Sequence, residues 1–211
     1  MPRSDSSGYV RNTREDVVAA AMEILDQQGL PDLTMRHLAN TLGVAPSALY
    51  WHFPNKQTLL AAVSDRIVAG ARPAGASGDW RAAVRAEAAS LHDALLSFKD
   101  GAEVVSSTLA LGLGAADLQR RLAAAIGGGG FDARTTGLAA ETMVHFIVGH
   151  AFHRQQRMQA DSLGAVAAEH SLDHSDPADH TPEPQAFDLG ITLLVAGLDA
   201  QLRPTPPVPA H

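Results

Sequence analysis

The chain has 211 residues, with 16 Lys and Arg against 23 Asp and Glu and a net charge of −7, so any polyanion it binds must be met by local charge, not by a basic bulk. Cysteine is absent, which excludes disulfides and thiolate metal centres. No apolar run reaches the roughly 20 residues of a membrane helix, and the start Met1-Pro2-Arg3-Ser4-Asp5 lacks the apolar stretch of a secretory signal, so a cytoplasmic location is expected.

Residues 1–12 read as a flexible arm carrying Arg3 and Arg11. From Thr13 to Gly29, the stripe Val17, Ala20, Ala21, Ile24 and Leu25 follows helical spacing. Thr34 then precedes a second short pattern and can cap it by accepting from backbone N–H groups two or three residues on. Leu38, Ala39 and Leu42 form its inward stripe, and Arg36, His37 and Asn40 point away. Gly43 follows, where a left-handed residue ends a helix without a Cβ clash. Pro46 suits the first position of the next helix, since its missing N–H has no partner to lose there.

In that next helix, Leu49 and Phe53 are four apart and bury together. Ser47, Ala48, Tyr50, Trp51 and His52 are left outward or at the margins. Pro54 stops the helix and Asn55 caps another, so Lys56 falls in a first turn. Two short helices joined by a Gly turn also occur in proteins that never touch DNA. The aromatic cluster on so short a helix is the feature that fits a DNA major groove.

The helix from Asn55 to Gly70 has Leu59, Leu60, Val63 and Ile67 inward and ends near Pro73, so it is read as the lever between a head (13–72) and a body (79–203). The Pro/Gly/Ser stretch at 72–78 marks the boundary. A long helix starting near Asp79 lines Val84, Ala88, Leu91, Leu95 and Phe98 on one face, and Asp100-Gly101 breaks it. Another runs from Ala115 to Ile126, stopped by four glycines at 127–130. No period-2 strand pattern appears, so the fold class is all-α.

Two further helices are expected from Asp132 to Met158 and from Pro184 to Leu202. The first is apolar over more than one face, including Leu138, Val144, Phe146, Ile147, Val148, Ala151 and Phe152, which predicts contacts on several sides. The second carries Phe187, Ile191, Leu194, Val195, Leu198 and Leu202 at helical spacing. Gly190 and Gly197 on it leave a groove for the backbone of a partner. Residues 159–183 read as a mobile acidic loop, and 204–211 as an extended Pro-rich tail.

The run Leu49-Tyr50-Trp51-His52-Phe53 followed by Asn55-Lys56-Gln57-Thr58-Leu59-Leu60 resembles the operator-binding head of the tetracycline-repressor (TetR) family. The likeness covers roughly residues 10–72. It continues more loosely through Trp80–Gly101, Phe146–Gly149 and Gly190–Leu202, pieces similar to the family's tetracycline-binding regulatory domain. The resemblance implies a ligand-responsive regulator, most simply a repressor and alternatively an activator, that binds a palindromic operator as a homodimer. It also implies that the two C-terminal helices pair with their copies in a four-helix bundle. DNA contacts are expected from Thr34, Arg36, Pro46, Ser47, Ala48, Tyr50, Trp51, His52 and Lys56, supplemented by Arg3 and Arg11.

For the effector, the resemblance puts Glu87, Leu91, Val105, Thr108 and His153 at positions that hold a magnesium–drug chelate in family members. The metal-binding histidine becomes Val105, a pocket asparagine becomes Glu87, a pocket phenylalanine becomes Leu91, and the adjacent Arg-Pro becomes Leu109-Ala110. The carboxylate that steadies metal-bound water becomes His153, and only Thr108 is retained. Valine cannot ligate a cation, and imidazole does not replace a carboxylate for hard Mg²⁺. The expected effector is therefore a different, mostly apolar small molecule, fixed by groups such as Thr108, His145, His150 or His153, with no metal and no cofactor.

The histidines also support a rival reading. His145, His150 and His153 share one helix, and His92 lies on another of the same domain. His150 and His153 are spaced for one face, while His145 lies about 140° from His150 at 100° per residue. A helical metal-dependent enzyme built on this cluster would explain the histidines but not the head, and i, i+3 histidines need further ligands from elsewhere. A protein-interaction module using the aromatic helix is a third reading.

Overall fold

The computed structural model describes residues 12–73, 75, 78–162 and 183–202. The arm with Arg3 and Arg11, most of the expected acidic loop and the tail 204–211 lie outside the described residues. Among those described there are helices and no strands. The helices are α1 (Arg14–Gln28), α2 (Met35–Thr41), α3 (Pro46–Tyr50), α4 (Lys56–Ala69), α5 (Trp80–Leu96), α6 (Gly101–Ala110), α7 (Ala116–Gly127), α8 (Ala133–Ser162) and α9 (Glu183–Gln201).

Local chemistry starts α1, α2 and α4 where the residues predict. Thr13 and Asp16 form a reciprocal capping box at α1, which satisfies two of the amides that a helix start leaves without partners. Thr34 accepts from the His37 N–H at 3.1 Å, and Asn55 accepts from the Thr58 N–H at 2.9 Å. Gly43 sits at φ +65 and turns the chain between α2 and α3. Val17, Ala21, Leu25, Leu33, Leu38, Leu49, Phe53 and Leu59 are buried together beneath α1–α4.

That core continues without a break into the body. α4 packs on α1 on one side and on α5, α6 and α7 on the other. α8, 30 residues long and so about 45 Å at 1.5 Å per residue, lies against α5, α6, α7 and α9.

Several expectations need correction. The sequence pattern predicts no helix over 101–110, yet α6 occupies it. Asp100 is left-handed and gives no side-chain cap there, so the usual start signal is missing. The cap comes from Gln155, whose Oε1 accepts from the Ala102 N–H at 3.0 Å. The same amide donates to the Leu95 and Phe98 carbonyls at 3.0 and 2.8 Å, so one side chain on α8 closes α5 and opens α6.

α8 runs on through Ser162, so the first residues expected in the acidic loop are helical. The groove expected at Gly190 is filled from within the chain: a Cβ there would lie 2.2 Å from the Phe146 ring. Gly197 does remain open.

Candidate nucleic-acid interface and the joint behind it

α3 is held by its inner residues and presents its outer ones. Leu49 and Phe53 are buried, and the Arg14 guanidinium lies over the Phe53 ring at 4.6 Å, a cation–π contact that pins α1 to the end of the motif. On the other side Pro46 and Ser47 are exposed and Ala48 is half-buried. Tyr50 is 50% and Trp51 90% exposed. An indole this accessible is an expensive surface to leave in water unless something covers it.

The helix itself stops at Tyr50. Trp51 is its C-cap and His52 lies in the following turn, so these two leave the reading face from its end and not from its middle. Ala45 provides no side-chain cap. Arg36 and Thr34 are exposed at the start of α2, and Lys56 is half-buried at the start of α4. The Thr34 hydroxyl already accepts from the His37 N–H.

Behind the head, polar links among the described residues tie it to the body. Asp100 accepts from the Leu30 N–H at 2.8 Å. Thr108 Oγ1 lies 3.0 Å from Ser64 Oγ on α4. Asp65 on α4 accepts from the Ala115 N–H at 2.7 Å. Arg121 reaches the carbonyls of Val68, Ala71 and Arg72 at 3.3, 3.1 and 2.9 Å, while its Nε is bonded to Glu87. None of Asp100, Ser64, Asp65, Arg121 or Glu87 was assigned this role from the sequence. A buried carboxylate, arginine and serine in otherwise apolar helices are the signal that points to such pairs.

The expected effector residues fall in different surroundings. Leu91, Val105 and Thr108 are fully enclosed, and Thr108 is committed to Ser64 and to the Val104 and Val105 carbonyls. Glu87 is buried in its pair with Arg121. His145 is exposed and lines a cavity of about 390 Å³ between α6, α7 and α8, with Ser106, Gln119 and Glu141 as its other polar walls. His153 is exposed and His150 is half-buried.

The shared face expected for His150 and His153 is thus not the relevant pairing. His150 Nδ1 instead meets His92 Nε2 at 3.0 Å, and Phe187 stacks on His92 with centroids 4.1 Å apart. Burial, and then the neighbouring His150 and Arg154, lower the His92 pKa to about 4. His92 is therefore neutral at physiological pH, and the two rings share one proton in the hydrogen bond.

A magnesium–tetracycline chelate does not fit these residues. Val105 offers an enclosed alkyl group, Thr108 is already bonded, and the carboxylate position is an imidazole. Among the described residues no group of three or more His, Asp or Glu is placed to hold a metal ion. No described helix is long and apolar enough to cross a membrane.

α8 and α9 share an exposed apolar face. Leu138 is 55% and Leu193 62% exposed, and they border an open groove of about 440 Å³ with Thr135, Thr142, Gly197 and Gln201.

A capped helix, a Gly turn, a short helix with outward aromatics and a helical body behind them define a helix-turn-helix regulator. Residues 17–63 match the family of bacterial regulatory proteins described as the tetR family, and 72–202 match the tetracyclin repressor-like C-terminal domain. The chain belongs to the TetR family of bacterial transcriptional regulators, which are not enzymes.

It is 33% identical over 193 residues to the tetracycline repressor protein class A from transposon 1721 of Escherichia coli, covering 86% of this chain and 88% of that one. The crystal structure of Mycobacterium smegmatis BioQ is 40% identical, covering 90% of this chain and 98% of that one, with a TM-score of 0.78. The structure of BioQ with its double-stranded DNA operator is 38% identical, covering 90% and 99%, with a TM-score of 0.73.

Proposed function

We propose that the protein is a cytoplasmic repressor that binds a palindromic operator as a homodimer and is released by a small molecule other than magnesium–tetracycline. The observation that carries this reading is the exposure of Tyr50 and Trp51 at the end of a helix whose inner side is closed by Leu49 and Phe53. A relative of 38% identity has been solved on its operator, which supports the same use of the head here. α3 reads bases with Ser47, Tyr50, Trp51 and the Ala48 methyl, while Arg36 and Lys56 meet phosphates. With a net charge of −7 and few cations per head, one head binds weakly, and two heads on one duplex supply the affinity.

The paired heads need a two-fold interface, and the exposed face of α8 and α9 around Leu138 and Leu193 is the apolar surface suited to it. The effector enters the body at the α6–α7–α8 cavity, whose size falls in the range of small-molecule sites. His145, Gln119, Glu141 and Ser106 supply its polar contacts. Binding there favours a state in which α4 has moved, and operator affinity falls by the difference in effector affinity for the two states.

The test is a titration of labelled duplex carrying the upstream region of the protein's own gene, across a series of salt concentrations. Tight binding to that duplex, weak binding to scrambled duplex and a steep salt dependence are expected. Equal affinity for both duplexes overturns the reading. In the same assay tetracycline with Mg²⁺ leaves the complex intact; release at micromolar drug overturns the effector assignment.

A further inference from the structure

We infer that Arg121, held by Glu87, is a positioning residue for DNA reading: it clamps the C-terminal end of α4 and so sets where the head sits on the body. The inference rests on the operator-binding reading above.

The last carbonyls of a helix have no partner within it, and they carry the negative end of the helix dipole. At the end of α4 the Val68 carbonyl, and just beyond the helix those of Ala71 and Arg72, are met from outside. Arg121 projects from α7, and its Nη1 donates to the Val68 and Ala71 carbonyls, while Nη2 donates to the Arg72 carbonyl. Ser90 on α5 donates to the same Arg72 carbonyl at 2.5 Å. The remaining guanidinium nitrogen, Nε, is bonded to Glu87 on α5, and both side chains of the pair are largely buried.

This is an unusual use of an ion pair. Glu87 holds the rigid planar guanidinium in one orientation, and that orientation delivers two nitrogens to three carbonyls at the point where α4 leaves for the linker. The clamp acts where the lever is anchored. α2 and α3 sit at the other end of α4, so a small change in angle there becomes a larger displacement of the reading helix. Two heads on one duplex must match the spacing of half-sites one helical turn apart, so the clamp sets spacing as well as affinity. Lysine at 121 keeps the charge but cannot span the carbonyls and Glu87 together.

The experiment compares wild type, Arg121→Lys, Arg121→Met and the charge swap Glu87→Arg/Arg121→Glu. Operator affinity is measured on the natural duplex and on one with a single base pair inserted between half-sites. Amide hydrogen exchange is measured in parallel. Arg121→Met is expected to lose about tenfold in affinity for the natural operator, equivalent to about 1.4 kcal/mol, and to lose most of its discrimination between the two spacings. Arg121→Lys is expected to fall between it and wild type.

The charge swap restores an ion pair but removes the Arg121 donors from the three carbonyls, leaving Ser90 alone on Arg72, so it stays as weak as Arg121→Met. Exchange at residues 66–72 quickens in the variants while residues 17–25 stay protected. Restored affinity in the swap, undiminished spacing discrimination in both single variants, or unchanged exchange at 66–72 overturns the clamp. Should the wild-type protein fail to bind the duplex, the operator reading falls, and the exchange measurement still decides the clamp. Should Arg121→Met fail to fold, Arg121→Lys carries the same comparisons.

Discussion

Asp100 and Leu30, 70 residues apart, are joined by a hydrogen bond of 2.8 Å from the Leu30 N–H to the Asp100 carboxylate. Leu30 lies just beyond α1 in the head, and Asp100 lies at the corner between α5 and α6 in the body. The second carboxylate oxygen is bonded to Gln159 on α8. One buried side chain thereby ties three elements that no stretch of sequence brings together.

Replacing Asp100 tests that tie. Asp100→Ala leaves the Leu30 N–H and the Gln159 amide short of an acceptor and puts alanine at φ +55. We expect a stability loss of about 2–4 kcal/mol from the lost charged acceptor and the left-handed backbone. Asp100→Asn keeps an acceptor and tolerates the left-handed region, so its loss is expected to be less than half as large. Urea denaturation of the two variants checks the ranking.

Tyr50 and Trp51 contribute to function without contributing to the fold. The double variant Tyr50→Ala/Trp51→Ala is expected to unfold within about 0.5 kcal/mol of wild type, since exposed side chains outside the core rarely matter more. Binding to the cognate duplex is expected to fall at least about thirtyfold, from the loss of two aromatic anchors of about 1–3 kcal/mol each. Circular dichroism with a gel-shift titration reads both quantities on one sample.

His92 makes stability depend on pH. Its pKa is lowered to about 4 in the folded protein, by burial first and then by His150 and Arg154. The unfolded chain has an ordinary imidazole near 6.5, so it binds more protons than the folded one. Stability from this group is fully present above pH 6.5 and is lost as pH falls from 6.5 towards 4. His92→Phe preserves the stack on Phe187 and removes the titration. The urea midpoint of wild type is expected to drop more steeply between pH 6.5 and 4.5 than that of the variant; parallel curves would contradict the assignment.

Leu193 on α9 tests the proposed interface. A carboxylate at this exposed position costs the isolated chain little, but it places like charges near the two-fold axis of a dimer. Leu193→Glu is expected to sediment as a monomer at micromolar concentration and to lose operator affinity, because two linked heads become two separate ones. Analytical ultracentrifugation paired with the duplex titration checks it. Dimers that persist undiminished would move the interface elsewhere.

Much of this was legible in the residues. Thr13, Thr34 and Asn55 cap the helices they precede, Gly43 turns the chain, and Leu38, Leu49 and Phe53 go inward, because each depends on neighbours within about four positions. The resemblance of 49–60 to operator-binding heads identified the family for the same reason: the motif is contiguous. α6 escaped because its cap is an amide more than 50 residues away. The assignment of Glu87 and Thr108 to an effector site did not anticipate that their partners, Arg121 and Ser64, lie on other helices.

Local pattern thus settled where α1, α2 and α4 begin, which faces they bury and which side chains the second short helix turns outward, since hydrogen bonding and side-chain spacing within one turn decide all three. Packing between helices settled the rest. The packing of α8 on α5 and α9 paired His92 with His150 instead of His150 with His153 and closed the notch at Gly190 with Phe146, while that of α7 on α4 brought Arg121 to the end of α4. Such contacts depend on the angles and distances between helices, and those follow from how the whole core fills space, which no single segment specifies.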